Sequence, residues 1–354
     1  MFLAIREIKR SKLKYTLLSV TMVAILFLVF FITGLANGLS FADSSSLQNL
    51  SVDYAITNKE ADGQIVISEL TEEQVQSISK NLNYDSTPMD MTFAQLKLEQ
   101  EKDLDVIYFS VDTKKYPDLE VTEGKNISEL TGNEVIVNDS LKKAGFELND
   151  EIVDEHSGKI MTIAGFIEGH TYTFLPVVYV DFHLGMNQLY DEEIFYNAVL
   201  YTGAKENISG FDTFNKEELV KSMSGYTETQ GSFMVMTVFM FIISAFVSTV
   251  FFYVITIQKT SQFGVLKAVG ASTNYISKSI MIQVILLTII SLIVSVFAIF
   301  GMVQVLPEGV PFKTSFSIIM GTGVLFLVLN LLGSLLSVFK VAKIDPLEAI
   351  GRVE

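Results

Sequence analysis

The stretch "YTLLSVTMVAILFLVFFITGLANGLSFA", Tyr15 to Ala42, contains no charged side chain. A helix needs only about 20 apolar residues to cross roughly 30 Å of hydrocarbon. Three further windows are also charge-free: Thr229 to Gln258, Ser279 to Pro307 and Thr314 to Phe339. A charge at the bilayer centre costs at least about 2.5–3.5 kcal/mol. Four uninterrupted windows therefore read as membrane spans rather than as buried helices of a large soluble core. The first has an apolar run longer than a signal-peptide core and no clean A-x-A-like site after it, so it reads as a retained helix.

Lysine and arginine placement orients the spans. Arg6, Lys9, Arg10, Lys12 and Lys14 precede the first, Lys259, Lys267 and Lys278 lie between the second and third, and Lys340, Lys343 and Arg352 follow the fourth. The positive-inside rule makes all three segments cytoplasmic. The expected fold class is a membrane protein of four transmembrane α-helices, with a large extracellular mixed α/β domain between helices 1 and 2. In residue numbers, a basic cytoplasmic segment covers 1–14 and the spans cover 15–42, 229–258, 279–305 and 316–339. The extracellular domain is 43–228, the cytoplasmic loop 259–278, the short extracellular loop 306–315 and the cytoplasmic tail 340–354.

The outer segment carries 13 lysines and no arginine against 35 acidic residues, a formal net charge of −22, whereas the whole chain carries −15. That acidity argues against a nucleic-acid partner. There is no cysteine, which excludes disulfides and cysteine-ligated metal. Three arginines beside 22 lysines point to an AT-rich genome and a Gram-positive host.

Within the outer segment, "DYAITNK", "DVIYFSVD", "NEVIVND", "MTIAGFI" and "LPVVYVDF" are short runs rich in β-branched and aromatic residues, bounded by turn formers. "SELTEEQVQSISKNL" has helical spacing, with Thr71 and Gln74 placed for a capping box. "SLKKAGFELND" predicts a short helix ended by Gly145, and "NKEELVKSMSGY" a helix leading into the second span. "LPEGVPFK", with two prolines and a glycine, predicts the short outer turn.

Catalytic signatures are missing. No G-x-x-x-x-G-K-[ST] offers a phosphate cradle, and His156, His170 and His183 stand apart without metal-ligand spacing. Asp191, Glu192 and Glu193 lack the EF-hand pattern and read as a solvated acidic turn. No intrinsic cofactor is expected.

Between the second and third spans sits "QKTSQFGVLKAVGAS". Val265, Leu266 and Val269 fall on one face of a short helix, and Gly270 with Ala271 permits a tight return to the bilayer. A helix lying on lipid would give the same pattern. The C-terminal "VAKIDPLEAIGRVE" is a second signal that such a helix leaves unexplained.

Together these two segments resemble the MacB/FtsX-type permeases that partner ABC ATPases. In that family the loop reads roughly E-[IF]-G-[VIL]-[LM]-[KR]-A-[LIV]-G-A and the tail roughly P-x-E-A-[LI]-R. Here the loop runs Gln262, Phe263, Gly264, Val265, Leu266, Lys267, Ala268, Val269, Gly270, Ala271, and the tail contains Pro346, Glu348 and Arg352. It departs from the pattern at Gln262, where the family usually has Glu, and at Gly351. The resemblance implies that the loop docks on an ATPase subunit, expected in two copies, with Phe263, Val265 and Leu266 filling a groove on it. Pro346 and Glu348 would add a tail contact. It further implies a permease homodimer and ATP bound by the partner, whose closure moves the outer domains by mechanotransmission.

"SLQNLSVDYAI" and "GFIEGHTYTFLPVVYVD" are similar to the haem-efflux branch of the family, the HrtB and DevC permeases. Haem is a flat apolar dianion that partitions into membrane, so a lateral cleft near the outer surface suits it as transported substrate. Axial ligands come from Tyr, Met, His or carboxylate. The ligand candidates are His170 and Tyr172 in the outer domain and Glu228, Met234, Met236 and Met240 around the second span, with Phe41 and Phe233 as further candidate haem contacts at the same boundary. Two alternatives remain open: export of an antimicrobial peptide or drug, and signalling to a cell-wall hydrolase without transport.

Overall fold

The computed structural model describes residues 2–97, 103–184, 195–307 and 310–342. The chain divides into an α/β unit, Leu39–Gln230, and a helical unit drawn from the segments on either side of it.

Two helices open the chain, α1 (Phe2–Arg10) and α2 (Lys12–Gln48). In α2, Tyr15, Leu18, Met22, Leu26, Val29 and Phe30 recur at helical spacing and are buried. The α/β unit follows. Its strands are β1 (Tyr54–Asn58), β2 (Ser86–Lys97), β3 (Leu104–Val111), β4 (Val121–Gly124), β5 (Glu134–Asn138), β6 (Glu151–Asp154), β7 (Ile160–Ile167), β8 (Thr171–Tyr172), β9 (Leu175–Asp181), β10 (Ala198–Tyr201) and β11 (Phe211–Asn215). Its helices are α3 (Glu72–Asn81), α4 (Ser140–Lys143) and α5 (Lys216–Ser222). Four helices close the chain: α6 (Tyr226–Gln258), α7 (Thr260–Ala268), α8 (Thr273–Val303) and α9 (Phe316–Ala342).

The sheet runs β11-β1-β10-β2-β3-β9-β5-β7-β4, with β6 pairing β2 and β7, and β8 pairing β9. Most pairs are antiparallel, but β3–β9 and β5–β7 are parallel. Its central strands are buried on both faces. Ile107, Phe109, Val177 and Tyr179 point into one core, and Val106, Tyr108, Val178 and Val180 into another. Covered faces explain why these strands read as continuous apolar runs rather than alternating ones. Leu47 of α2 and Leu219 and Val220 of α5 close the first core, and Leu141 of α4 closes the second. The expected capping box is present: Gln74 N–H donates to Thr71 Oγ1 at 3.3 Å, and Thr71 N–H to Gln74 Oε1 at 2.9 Å.

In the helical unit, α2, α6, α8 and α9 are each long and apolar enough to cross a membrane. Their shared core joins Phe241, Phe252 and Ile255 of α6, Val284, Leu287 and Ile299 of α8, and Ile319 and Phe326 of α9 to the α2 stripe. Small polar residues tie α8 to α2, since Ser295 Oγ donates to Val23 O at 3.0 Å and Ser291 Oγ to Ser19 O at 3.4 Å. Gly34 and Gly38 of α2 seat the segment before α9. A Cβ on Gly34 would lie 2.2 Å from the Phe312 ring, one on Gly38 would lie 2.2 Å from Pro311 O, and Lys313 N–H donates to Gly34 O at 3.0 Å.

All four long helices start away from the edges of the charge-free windows, α6 at Tyr226 rather than Thr229 and α9 at Phe316 rather than Thr314. α8 starts at Thr273 rather than Ser279, because Ser272 Oγ accepts from Tyr275 N–H at 3.2 Å and caps it there. α2 starts at Lys12 rather than Tyr15 and continues to Gln48. Of the sequence expectations, Asp191, Glu192, Glu193, Pro346 and Glu348 lie outside the described residues, as does the side chain of His183.

Candidate functional site

The segment between α6 and α8 forms α7, nine residues whose backbone is closed at its C-terminal end. Ala271 N–H donates to Leu266 O at 2.9 Å and Gly270 N–H to Lys267 O at 3.0 Å. This paired closure puts Gly270 at φ 102°, a left-handed conformation that glycine adopts without a Cβ penalty. The chain then re-enters α8 at once.

One face of α7 is packed inward. Phe263 is only 2% exposed and lies in a cluster with Ile276 and Ile280 of α8 and Val341 of α9, against which Leu266 is partly buried. The expectation that Phe263 fills a groove on a partner is therefore corrected: its ring is already enclosed by this chain. Lys267 is also turned inward, its Nζ donating to Val341 O at 2.9 Å and Ala342 O at 3.4 Å. Both carbonyls belong to the last described residues of α9. Gly264 is buried. The exposed side includes Gln262, Val265 at 48% and Val269 at 85%, a stripe at i, i+3 and i+7, beside the small residues Ser261 and Ala268.

The other end of α7 is held by a polar cluster absent from the sequence expectations. Lys259 Nζ lies 3.1 Å from Glu7 Oε2 of α1, with side chains only 12% and 13% exposed. The same Nζ donates to Tyr15 Oη at 3.1 Å and sits 5.3 Å from the Tyr15 ring centroid. Tyr15 O–H donates to Gln283 Oε1 at 2.7 Å, and Gln283 Nε2 donates to Glu7 Oε2 at 2.6 Å. Four groups from α1, α2, α8 and the α6–α7 junction thus close one ring of hydrogen bonds. The sequence carried two faint signals of it: Glu7, the one acid among five N-terminal cations, and Gln283, an amide well inside a charge-free window.

The candidate haem contacts are dispersed. In the α/β unit, Tyr172 is 4% exposed, with its ring edge-on to Phe109 at 6.5 Å, and burial raises its phenol pKa well above the usual tyrosine range. His170 is also 4% exposed. Burial lowers its pKa to about 4, and Tyr179 O–H lies 2.7 Å from its Nδ1. Both are core residues. Phe41 is half-buried against Gly169, and Glu228 is exposed in the first turn of α6. In the helical unit Met234 and Met236 are exposed, at 70% and 45%, while Phe233 and Met240 are half-buried. Among the described residues no group of three His, Asp or Glu side chains converges to hold a metal ion.

The described residues thus hold four helices long and apolar enough to cross a membrane, an α/β domain between the first two and a doubly anchored helix between the second and third. Residues 234–346 match the model of the FtsX-like permease C-terminal domain, which bears out the resemblance read from the loop. Two relatives match end to end, each described as "Putative hemin transport system permease protein HrtB". The one from Staphylococcus haemolyticus is 29% identical over 100% of both chains, and one from Staphylococcus epidermidis is 29% identical over 99% of both. The solved periplasmic region of MacB from Actinobacillus actinomycetemcomitans aligns at 12% identity with 50% of this chain and 94% of its own, at a TM-score of 0.36.

Proposed function

We propose that this chain is the permease subunit of an ABC efflux transporter of the mechanotransmission type, which exports haem from the membrane using ATP hydrolysed by a separate ATPase subunit. It works as a homodimer with two ATPase copies, in the cell membrane of a Gram-positive bacterium. The observation that carries this reading is α7. Its Phe263 face and Lys267 are fixed to α8 and α9, Lys259 is fixed to α1 and α2, and the stripe of Gln262, Val265 and Val269 is left outward. A helix so tied hands a push on its outer face to several spans at once. The basic segments, read by the positive-inside rule, support α7 and both termini on the cytoplasmic side and the acidic domain outside. Gln262, in place of the family Glu, presents an amide rather than a charge to the ATPase.

Haem as the substrate is supported by the description of the full-length relatives and by the aromatic and methionine side chains near the outer ends of the first two spans. Phe41, Glu228, Met234 and Met236 are its proposed contacts. Tyr172 is not retained as an axial ligand, since its phenol is buried and held protonated. A cationic peptide is the second reading, favoured by the charge of −22 on the outer segment. The test is to reconstitute the permease with its ATPase in vesicles and add haemin or a cationic peptide. Stimulation of ATP hydrolysis by haemin, weakened by Met234→Ala or Glu228→Gln and matched by reduced haem tolerance of cells, is the expected result. Stimulation by the peptide with no response to haemin would replace haem with the second reading.

A further inference from the structure

The turn joining β8 to β9 goes against local preference. Tyr172 pairs with Leu175, so Thr173 and Phe174 form a two-residue hairpin loop, with φ of 48° and 66°. Loops of this geometry favour Asn-Gly or Asp-Gly, and a β-branched residue at positive φ is an outlier. Such strain persists only where the surroundings impose it, and it clusters at functional places.

Here the surroundings are the last turns of α2. Thr173 N–H donates to Asp43 O at 2.7 Å and Phe174 N–H to Ala42 O at 3.1 Å. Thr171 N–H donates to Ser45 Oγ at 2.9 Å, and Asn49 Nδ2 to Gly169 O at 2.8 Å. The hairpin is thereby fastened to α2 with Tyr172 turned into the core and Phe174 turned out, 53% exposed. A glycine or asparagine at 174 would relax the turn, yet this position holds a phenyl ring.

The attachment point fixes the ring's level. Ala42 is the last residue of the first charge-free window and Asp43 its first charge. At about 1.5 Å per residue that window spans roughly 42 Å, the hydrocarbon core plus its headgroup regions. We propose that Thr173–Phe174 is a bilayer anchor of the α/β domain, with the Phe174 ring entering the headgroup region and reaching toward the acyl boundary. A domain of charge −22 gains nothing from anionic headgroups, so a hold on the membrane surface has to be apolar.

The chain contains no tryptophan, so Phe174→Trp provides a single emitter. The full chain is reconstituted in phosphatidylcholine–phosphatidylglycerol vesicles containing acyl-brominated lipid, with Phe93→Trp, at an exposed strand position, as reference. The expected result is blue-shifted emission from position 174, quenched at least twofold by brominated lipid and shielded from acrylamide, with the reverse at position 93. Quenching by acrylamide equal to that at position 93 would overturn the anchor. Shielding from both quenchers, which would mean cover by protein, would overturn it too. A nitroxide on Phe174→Cys, the only cysteine then present, gives the same depth by power saturation if the tryptophan variant fails to fold.

Discussion

At the scale of single residues, burial sets the chemistry. His170 is held neutral because its cavity penalises the imidazolium, which lowers its pKa from 6.5 to about 4. In the unfolded chain it takes up a proton near pH 6.5, whereas in the folded chain it does not until about pH 4. The α/β domain should therefore lose stability as pH falls from about 6.5 to about 4, by about 3 kcal/mol from this group alone. Thermal unfolding across that range checks it, and His170→Asn should flatten the slope assigned to this group. Gly38 makes a second prediction. A methyl group there meets backbone, Pro311 O, which cannot step aside, whereas at Gly34 it meets the movable Phe312 ring. Gly38→Ala should cost about 1–3 kcal/mol and exceed Gly34→Ala, as read by denaturation midpoints in detergent. Equal effects would mean that the segment before α9 yields as easily as a side chain.

Elements were legible where the signal was local. The Thr71–Gln74 box, the strands of "DVIYFSVD" and "LPVVYVDF" and the Gly270 stop all lie in contiguous residues, and all appear in the structure. β2 was missed because Pro88, Asp90 and Gln95 lack strand character; its conformation comes from antiparallel pairing with β3 from Met89 to Leu96. The rotation of α7 about its axis was likewise hidden. Ile276, Ile280 and Val341, which draw Phe263 inward, lie on other helices. That rotation separates two variants. Val265→Asp should release the ATPase while the permease stays folded, as co-purification and a thermal melt would show. Phe263→Ala should instead lower the melt itself by about 3–5 kcal/mol of stability. Losing the ATPase in both variants at an unchanged melting temperature would mean that Phe263 faces the partner after all. At the other end of α7, Lys259→Met leaves Glu7 largely buried without its cation, at a cost of about 3 kcal/mol. The exchanged pair Glu7→Lys with Lys259→Glu should recover part of that loss and part of the transport-coupled hydrolysis. No recovery would show that the donor–acceptor order of the ring, and not charge pairing alone, holds this junction.

For the whole molecule, the proposed division of labour has α7 receive force that a partner generates, and the chain contains no G-x-x-x-x-G-K-[ST]. Purified alone in lipid it should hydrolyse no ATP, and turnover by the lone chain would contradict the proposed division of labour. The four-span architecture was legible because freedom from charge is a property of composition, whereas the ring of Glu7, Lys259, Tyr15 and Gln283 was not, since it gathers residues from the whole length of the chain. That ring also bears on biosynthesis. Glu7 leaves the ribosome about 250 residues before Lys259, which at roughly 5–20 residues per second is an interval of about 12–50 s. Throughout it the N-terminal helix has an acid with no Lys259 to meet, and Gln283 comes later still. The first helix to be made is thus among the last to be locked in place. A nascent chain that stalls within α6 still holds its first helix without the cation that pairs with Glu7.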